Sequence, residues 1–339
     1  MPKAVALLSG GLDSMLAAKL VAIQGVAVTG VHFVSVFNSA AKPGRRLAAR
    51  LAADAVGIPL KTFPFTETQI EILRNPPHGY GSAANPCIDC HIAMIRRAGE
   101  FMREIGADFV VTGEVAGQRP MSQRTFILRV IEQETGLEGL ILRPLSAKAL
   151  QPTLPEKRGL VNRDLLEGIV GRTRTRQMQL ARRFGIEAYP TPAGGCLLTD
   201  REFGRRVMDL VEHGELTVNN AHLVKVGRHY RLDAATKAVV GRNERENGVI
   251  ETYARAGDLL ITTEDVPGPT TLVRGNASQA NVETAAALTV RSSKAKSLAA
   301  ARVRVRPARS SDPGAVISVA PAGDDVAAAF TLAPSEVSS

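Results

Sequence analysis

Six residues near the N-terminus, Ser9-Gly10-Gly11-Leu12-Asp13-Ser14, have the makings of an anion-binding turn. Two adjacent glycines let backbone N–H groups converge on one point. A helix that starts there adds partial positive charge, and together these hold phosphate oxygens. Ser9 and Ser14 add hydroxyl donors, and Asp13 is placed to help hold Mg²⁺. A plain strand-to-helix turn with Asp13 as N-cap has the same local composition, so both readings stand at this point. The second chemical signal is sulfur. There are three cysteines, Cys87-x-x-Cys90 and the distant Cys196. That is too few for a disulfide scaffold in a chain this long, and the spacing points to redox, persulfide or metal chemistry in a reducing compartment. Cys87 and Cys90 stand just before a helical pattern, where a thiol ionises more readily. Cys196 follows Gly194-Gly195, which leave the backbone free to approach a ligand.

The elements that must position these residues alternate in type over the first half. AVALL (from Ala4) reads as a strand that runs into the glycine turn, and LDSMLAAKLVAIQG as an amphipathic helix. VAVTGVHFVS, PLKTFPF, ADFVVTGEV and LEGLILRPLS read as further strands; RRLAARLAADAVG and IAMIRRAGEFMREIG read as helices, each closed by glycine. Continuous apolar strands separated by helices predict an α/β domain, a parallel sheet with helices on both faces. Ligands in such sheets sit at the carboxyl ends of the strands, where the glycine turn lies. Residues 143–185 read as helical and basic, and the Pro/Gly stretch from Tyr189 to Gly195 breaks that pattern and delivers Cys196 on a loop. REFGRRVMDLVEHG reads as another helix. Short β-type runs (HLVKVG, DLLITT, TTLVRG) around two helical segments then predict a smaller α+β domain. The expected division is 1–190 for the first domain, 191–218 for the cysteine loop and a connecting helix, 219–306 for the second domain, and 307–339 for a poorly ordered tail.

With 339 residues the chain is too long for one ordinary core. Apolar residues at 45% and charged residues at 22% exclude a wholly disordered chain. No apolar run approaches the ~20 residues that span a bilayer, and the N-terminus has no signal-peptide core, so a cytoplasmic protein without a membrane partner is expected. The net charge of +9 is concentrated: ten Lys/Arg against three Asp/Glu between Arg143 and Arg183, and seven against none between Arg291 and Arg309. Such stretches favour a polyanionic partner, nucleic acid first, although a solvated basic face has the same composition.

SGGLDS at the end of the first strand resembles the pyrophosphate loop of the ATP pyrophosphatase (PP-loop) superfamily, with every motif position filled, and matches neither the P-loop nor the dinucleotide fingerprint. The resemblance implies cleavage of ATP between its α and β phosphates, with Ser9, Gly10, Gly11, Asp13 and Ser14 around the leaving pyrophosphate. His32 and Phe33, followed by Ser35, match the adenosine contact of that superfamily; a core histidine is the other reading of His32. Thr112-Gly113-Glu114-Val115-Ala116-Gly117-Gln118 with Ser122-Gln123 is similar to the TGExxGQxxSQ stretch of tRNA 4-thiouridine synthases, which adds Gly113 and Gln118 to the implied nucleotide site. LILRP, from Leu140, resembles the strand that follows it there.

An activated uridine carbonyl needs a sulfur nucleophile. Three thiolates hold three irons of a four-iron cluster and leave the fourth open to an exogenous ligand such as hydrosulfide. Cys87, Cys90 and Cys196 thus resemble the cluster-dependent branch of the tRNA thiolation enzymes. A persulfide relay among the same cysteines is the metal-free alternative. Unreactive buried cysteines, or a zinc ion with His91 as fourth ligand, remain further readings, and His78 is taken as a loop histidine without a role. The loop begins at Ser9, so the N-terminal tRNA-binding domain of known 4-thiouridine synthases is not expected before it, and no C-terminal rhodanese-like carrier is expected. Instead Gly227-Arg228, Gly241-Arg242-Asn243 with Asn247, Pro267-Gly268 and Ser292-Ser293-Lys294 resemble the RNA-binding domain of NFACT proteins over 219–306. Arg228, Arg242, Arg245, Lys294 and Lys296 would then meet phosphates. Together the resemblances imply an ATP-dependent tRNA uridine sulfurtransferase that makes 4-thiouridine or 2-thiouridine. Its cofactors would be ATP, Mg²⁺ and an iron–sulfur cluster, and its partners tRNA and a sulfur donor, either a cysteine desulfurase or sulfide. An amidotransferase-type ligase of the same superfamily, and a non-catalytic RNA- or ribosome-binding protein with a vestigial ATP loop, are the alternatives.

Overall fold

The computed structural model describes residues 1–38, 45–186, 189 and 196–332, with 45–47 as backbone only. The chain divides into two compact units, one of Met1–Gly81 with Asn85–Leu197 and one of Ser82–Ala84 with Leu198–Ser339.

The first unit is built on β1 (Lys3–Leu7), α1 (Leu12–Ala22), β2 (Ala27–Val34), α2 (Arg45–Val56), β3 (Leu60–Pro64), α3 (Thr66–Arg74), α4 (Cys87–Glu104), β4 (Phe109–Val111), α5 (Thr125–Thr135), β5 (Ile141–Leu142), α6 (Leu154–Lys157) and α7 (Thr175–Arg183). Its sheet has the order β3-β2-β1-β4-β5 and every pairing is parallel. β1 lies between β2 and β4, so the chain order reverses beside it, the place where such sheets open a crevice at their carboxyl ends. Alternate residues of the strands feed two cores. Ala4 and Ala6 pack with α1, α2 and α7, while Val5, Val31 and Phe33 pack with α4 and α5. α1 is buried on nearly every face from Leu12 to Val21, with Asp13 and Lys19 as the partly exposed exceptions, because helix and sheet enclose most of it. Phe33 and Phe63 stack at 5.8 Å, Phe65 meets Phe33 edge-on at 5.7 Å, and Arg97 lies 4.4 Å over Phe63. This is the α/β architecture that the alternation predicts. Residues 143–185 are less helical than expected, holding only α6, α7 and two single-turn helices.

The second unit comprises α8 (Arg201–Glu212), α9 (Val218–Leu223), β6 (Arg228–Asp233), β7 (Thr236–Val240), α10 (Glu244–Tyr253), β8 (Leu259–Thr263), β9 (Thr271–Gly275), α11 (Gln279–Arg291), β10 (Ala301–Pro307), β11 (Ala315–Val319) and α12 (Asp324–Phe330). Its antiparallel sheet runs β11-β10-β8-β9-β7-β6, with α11 packed on one face and Leu223 and Ile250 of α9 and α10 on the other. Three expectations are corrected here. HLVKVG opens in a helix, because Thr217 caps α9 by accepting the Asn220 N–H at 3.2 Å. Residues 307–332 are not a disordered tail: β11 pairs with β10, and α12 packs into the core through Ala327. Residues 333–339 lie outside the described residues. The units meet at Leu197/Leu198 rather than at 190 and 218, so α8 belongs to the second unit.

Candidate active site

The glycine turn follows β1 and caps α1. Gly10 has φ +83°, and a Cβ there would stand 3.0 Å from the backbone of Ala48 and Ala49, so only glycine fits. The serines tie the turn to itself: Ser14 Oγ donates to the Gly11 carbonyl at 2.8 Å, and the Ser9 and Ser14 hydroxyls are 3.1 Å apart. Gly11, not Asp13, occupies the N-cap position, which corrects the Asp13 cap. Asp13 instead accepts from Gln118 Nε2 at 2.9 Å and from Arg174 Nη2 at 3.2 Å. Gln177, fully buried, donates to Gln118 Oε1 at 3.3 Å. Among the described residues, Arg174 Nε and Gln177 Oε1 are buried without a hydrogen-bond partner.

The segment after β4 seats directly on this turn. A Cβ on Gly113 would fall 2.6 Å from Ser14 N and Cα, so the loop approaches α1 as closely as backbone can. One residue on, Glu114 turns the other way. Its Oε1 meets His91 Nδ1 at 2.9 Å, and its Oε2 accepts from Arg143 Nε and Thr112 Oγ1, both at 3.0 Å. Arg143 is buried and is also paired with Glu132. These partners outweigh burial and hold the Glu114 carboxyl down to about 2.

Cys87 is the first residue of α4, and His91 lies one turn further on. Burial opposes ionisation of Cys87. The hydrogen bond and charge of His91, with Ser122 and Arg119, overcome that and lower the thiol to about 6. His91 in turn is raised to about 10, against burial, by Cys87 and Glu114. Cys87, His91 and Glu114 thus form a thiolate–imidazolium pair oriented by a carboxylate, which is the arrangement of an activated sulfur nucleophile. Cys90 is buried and pushed well above its ordinary value by that burial, and then by the neighbouring Cys196 and Cys87. Gln69 Nε2 reaches Cys90 Sγ at 3.6 Å and Cys196 Sγ at 3.9 Å, so one amide gathers these two sulfurs. Cys196 is held by an isolated bridge to Asn38, and the N–H of Leu197 donates to the Phe37 carbonyl at 2.9 Å. Gly194 and Gly195 lie outside the described residues.

The sequence-predicted residues therefore separate. Ser9, Gly10, Gly11, Asp13, Ser14, Gly113 and Gln118 come together at one turn, Cys90 and Cys196 meet at the Gln69 amide, and Cys87 is near enough to Cys90 to act on its thiol. His32 is buried at the end of β2 with Nδ1 2.9 Å from the Leu8 carbonyl, beside the glycine turn. The Phe33 ring is a core residue stacked among Phe63 and Phe65. His78 is corrected. It is not idle, because it bridges Asp89 at 2.7 Å and Glu134 at 3.0 Å and so pins the loop before α4. His91 is occupied by Glu114 and Cys87 rather than free to ligate zinc, and among the described residues no three His, Cys, Asp or Glu side chains are gathered for a single metal ion. Glu114, Gln69, Arg143 and Arg174 were not singled out from the sequence.

In the second unit Arg228, Arg245, Lys294 and Lys296 are exposed. Arg242 is held by Glu246, with Nε at 3.0 Å, and Glu246 also accepts the Gly227 N–H at 3.0 Å. The Gly241-Arg242-Asn243 motif is structural: Asn243 caps α10, and a Cβ on Gly241 would collide with Asn247.

Comparison with known proteins follows this division. Residues 1–149 match the family model described as "Thiamine biosynthesis protein (ThiI)", and residues 227–331 match "NFACT protein RNA binding domain". The second match takes in the strand β11 and the helix α12, which the sequence alone left in a tail. A "Probable tRNA sulfurtransferase" of Acetivibrio thermocellus is 38% identical over 34% of this chain and 29% of that protein. A "tRNA-specific 2-thiouridylase MnmA" of Cutibacterium acnes is 31% identical over 38% of this chain and 39% of that protein. Among solved structures, a 4-thiouridine synthetase–RNA complex with bound ATP aligns at 24% identity with TM-score 0.36, over 55% of this chain and 52% of that one. The matches span about a third of the length of these curated relatives. Two resemblances read from the motifs, to tRNA thiolation enzymes at the N-terminal side and to the NFACT RNA-binding domain at the C-terminal side, are both found by comparison.

Proposed function

We propose that the chain is an ATP-dependent tRNA sulfurtransferase. A uridine carbonyl oxygen, O4 or O2, attacks the α-phosphate of ATP, and pyrophosphate leaves onto the turn from Ser9 to Ser14. A sulfur nucleophile then adds at the adenylated carbon, and AMP departs with the oxygen. The observation that carries this reading is the Thr112–Gln118 segment, which touches both halves of the chemistry. Gly113 and Gln118 meet the glycine turn, and Glu114 holds His91 beside Cys87. The chemistry needs an electrophile and reduced sulfur within one crevice, and a single seven-residue stretch braces both.

The residues fit the implied groups on observations of their own. Gly10 and Gly113 let the backbone of the turn pack closely on its neighbours, and among the described residues buried Arg174 Nε lacks a partner, a donor free for a phosphate oxygen. Asp13 is the carboxylate for Mg²⁺. Cys87, Cys90 and Cys196 are close enough to influence one another, and three thiolates would hold a four-iron cluster that supplies an open iron for exogenous sulfide. The low-lying Cys87 thiol favours a second reading, in which Cys87 carries a persulfide and another cysteine resolves the disulfide left after sulfur transfer. Relatives named as tRNA sulfurtransferases, and the RNA-binding domain match, support tRNA as substrate. No described helix is long and apolar enough to cross a membrane. A tRNA substrate supports the reading of a cytoplasmic enzyme.

The test is mass spectrometry of nucleosides from tRNA incubated anaerobically with the protein, ATP, Mg²⁺ and either sulfide or, for the persulfide reading, a cysteine desulfurase with cysteine and a thiol reductant. A thiouridine appears with the wild type and is absent for Asp13→Ala; chromatographic retention assigns it as the 4- or 2-thio isomer. No thiouridine from iron-reconstituted wild type rejects the proposal, and pyrophosphate release without thiolation redirects it to the ligase alternative. Iron and sulfide that stay at background after reconstitution select the persulfide reading.

A further inference from the structure

Arg174 stands between two demands. Its guanidinium presents two donors along one edge, Nε and Nη2. Asp13 takes only Nη2, at 3.2 Å, and Nε is buried with no partner among the described residues. An unpaired buried donor is costly, and a guanidinium edge of this kind matches two oxygens of one phosphate group. Asp13 cannot fill both positions, because its second oxygen is bound to Gln118 Nε2 at 2.9 Å. The nearby Arg176 makes the contrast: its Nε and Nη2 are both occupied by Glu167, at 2.9 and 2.8 Å. Arg174 is the half-satisfied arginine of this stretch, and its contact is with the aspartate of the glycine turn. Fully buried Gln177 continues the chain to Gln118 and leaves its own Oε1 unpartnered, so the polar groups around Asp13 are incomplete as they stand.

We propose that Arg174 is a pyrophosphate-binding residue: its Nε–Nη2 edge, parked on Asp13 in the free protein, takes the β or γ phosphate of the nucleotide. This deepens the proposed function and rests on it. Asp13 is thereby released toward its cation, and the positive charge that Arg174 brings stays with the leaving group.

The test measures binding of inorganic pyrophosphate and of AMP, each with Mg²⁺, to the full chain by calorimetry. Arg174→Ala weakens pyrophosphate at least tenfold and leaves AMP within twofold. Arg174→Lys, which keeps the charge but not the two-donor edge, falls between. Arg176→Ala matches the wild type. Melting curves confirm that each variant is folded; should Arg174→Ala fail to fold, the lysine variant alone decides, and pyrophosphate affinity equal to wild type overturns the proposal. Equal weakening of AMP and pyrophosphate assigns Arg174 a structural role and also overturns it. Wild type that binds AMP but no pyrophosphate rejects this assignment only; wild type that binds neither rejects the nucleotide site itself.

Discussion

At the scale of single residues, the sulfur site is governed by the groups around Cys87. His91 supplies the charge that lowers this thiol to about 6, so at neutral pH Cys87 is mostly thiolate. In cluster-free protein, the rate of alkylation of Cys87 by iodoacetamide rises with pH through a midpoint near 6. In His91→Ala the midpoint moves upward toward the ordinary thiol value, and the rate at pH 7 falls about tenfold or more. A midpoint unchanged by that substitution contradicts the pairing. Glu114 gives a second prediction. Its carboxyl is lowered from 4.5 to about 2, so the stability it contributes is fully present above pH 4.5 and is lost as pH falls through about 2. Glu114→Gln removes one buried counter-charge shared by Arg143 and His91, which keep Glu132 and Cys87 as partners, and lowers the denaturation midpoint at pH 7, by less than the ~3–5 kcal/mol of a fully unpaired buried charge. The cysteines and Asp13 were legible because their types and spacing are unusual. Gln69 and Glu114 were not, since each meets its cysteine or histidine from a different element. His91 carried a signal that went unused: Cys87 and His91 are four apart, which places them on one face of a helix.

At the scale of elements, the connection after β4 matters most. It must be glycine at 113, for a methyl there would sit 2.6 Å from Ser14 backbone. Gly113→Ala therefore lifts the segment from α1 and disturbs both ends at once. Binding of a non-hydrolysable ATP analogue falls by at least tenfold and Cys87 alkylation slows, while Gly117, at φ +74° but with a substituent farther from neighbours, tolerates alanine at the nucleotide site better. Equal nucleotide affinity in Gly113→Ala and wild type would falsify the bracing role. The buried strands of the parallel sheet could be read directly, because strands covered on both faces are continuously apolar. β10 could not: ARVRVRP alternates arginine with valine, a period-two pattern in which Val303 and Val305 enter the core while Arg302 and Arg304 pair with Asp265 and Glu264. Charge concealed this strand, and the region expected to be a tail begins only at its last residue, Pro307.

At the scale of the whole molecule, one unit carries the proposed chemistry and the other the proposed RNA affinity. Alanine at the exposed Arg228, Arg245, Lys294 and Lys296 weakens tRNA binding and reduces the salt slope by about 0.7–0.9 per true phosphate contact, whereas Arg242, engaged by Glu246, contributes less. A salt slope unaltered in the quadruple variant removes these residues from the interface. The second unit has its own structural charge centre, Asp209 with Arg231 at 2.7 Å and Lys237 at 2.6 Å, which ties α8 to β6 and β7. The account's central claim is that nucleotide activation and sulfur delivery are separate steps on one chain, and a paired assay tests it most directly. Pyrophosphate release and thiouridine formation are followed together with ATP, tRNA and sulfide for the wild type, Asp13→Ala and Cys90→Ala. The account predicts that Asp13→Ala loses both products, while Cys90→Ala still releases pyrophosphate and forms no thiouridine. Thiouridine formed at the wild-type rate by Cys90→Ala, or by Asp13→Ala, contradicts it.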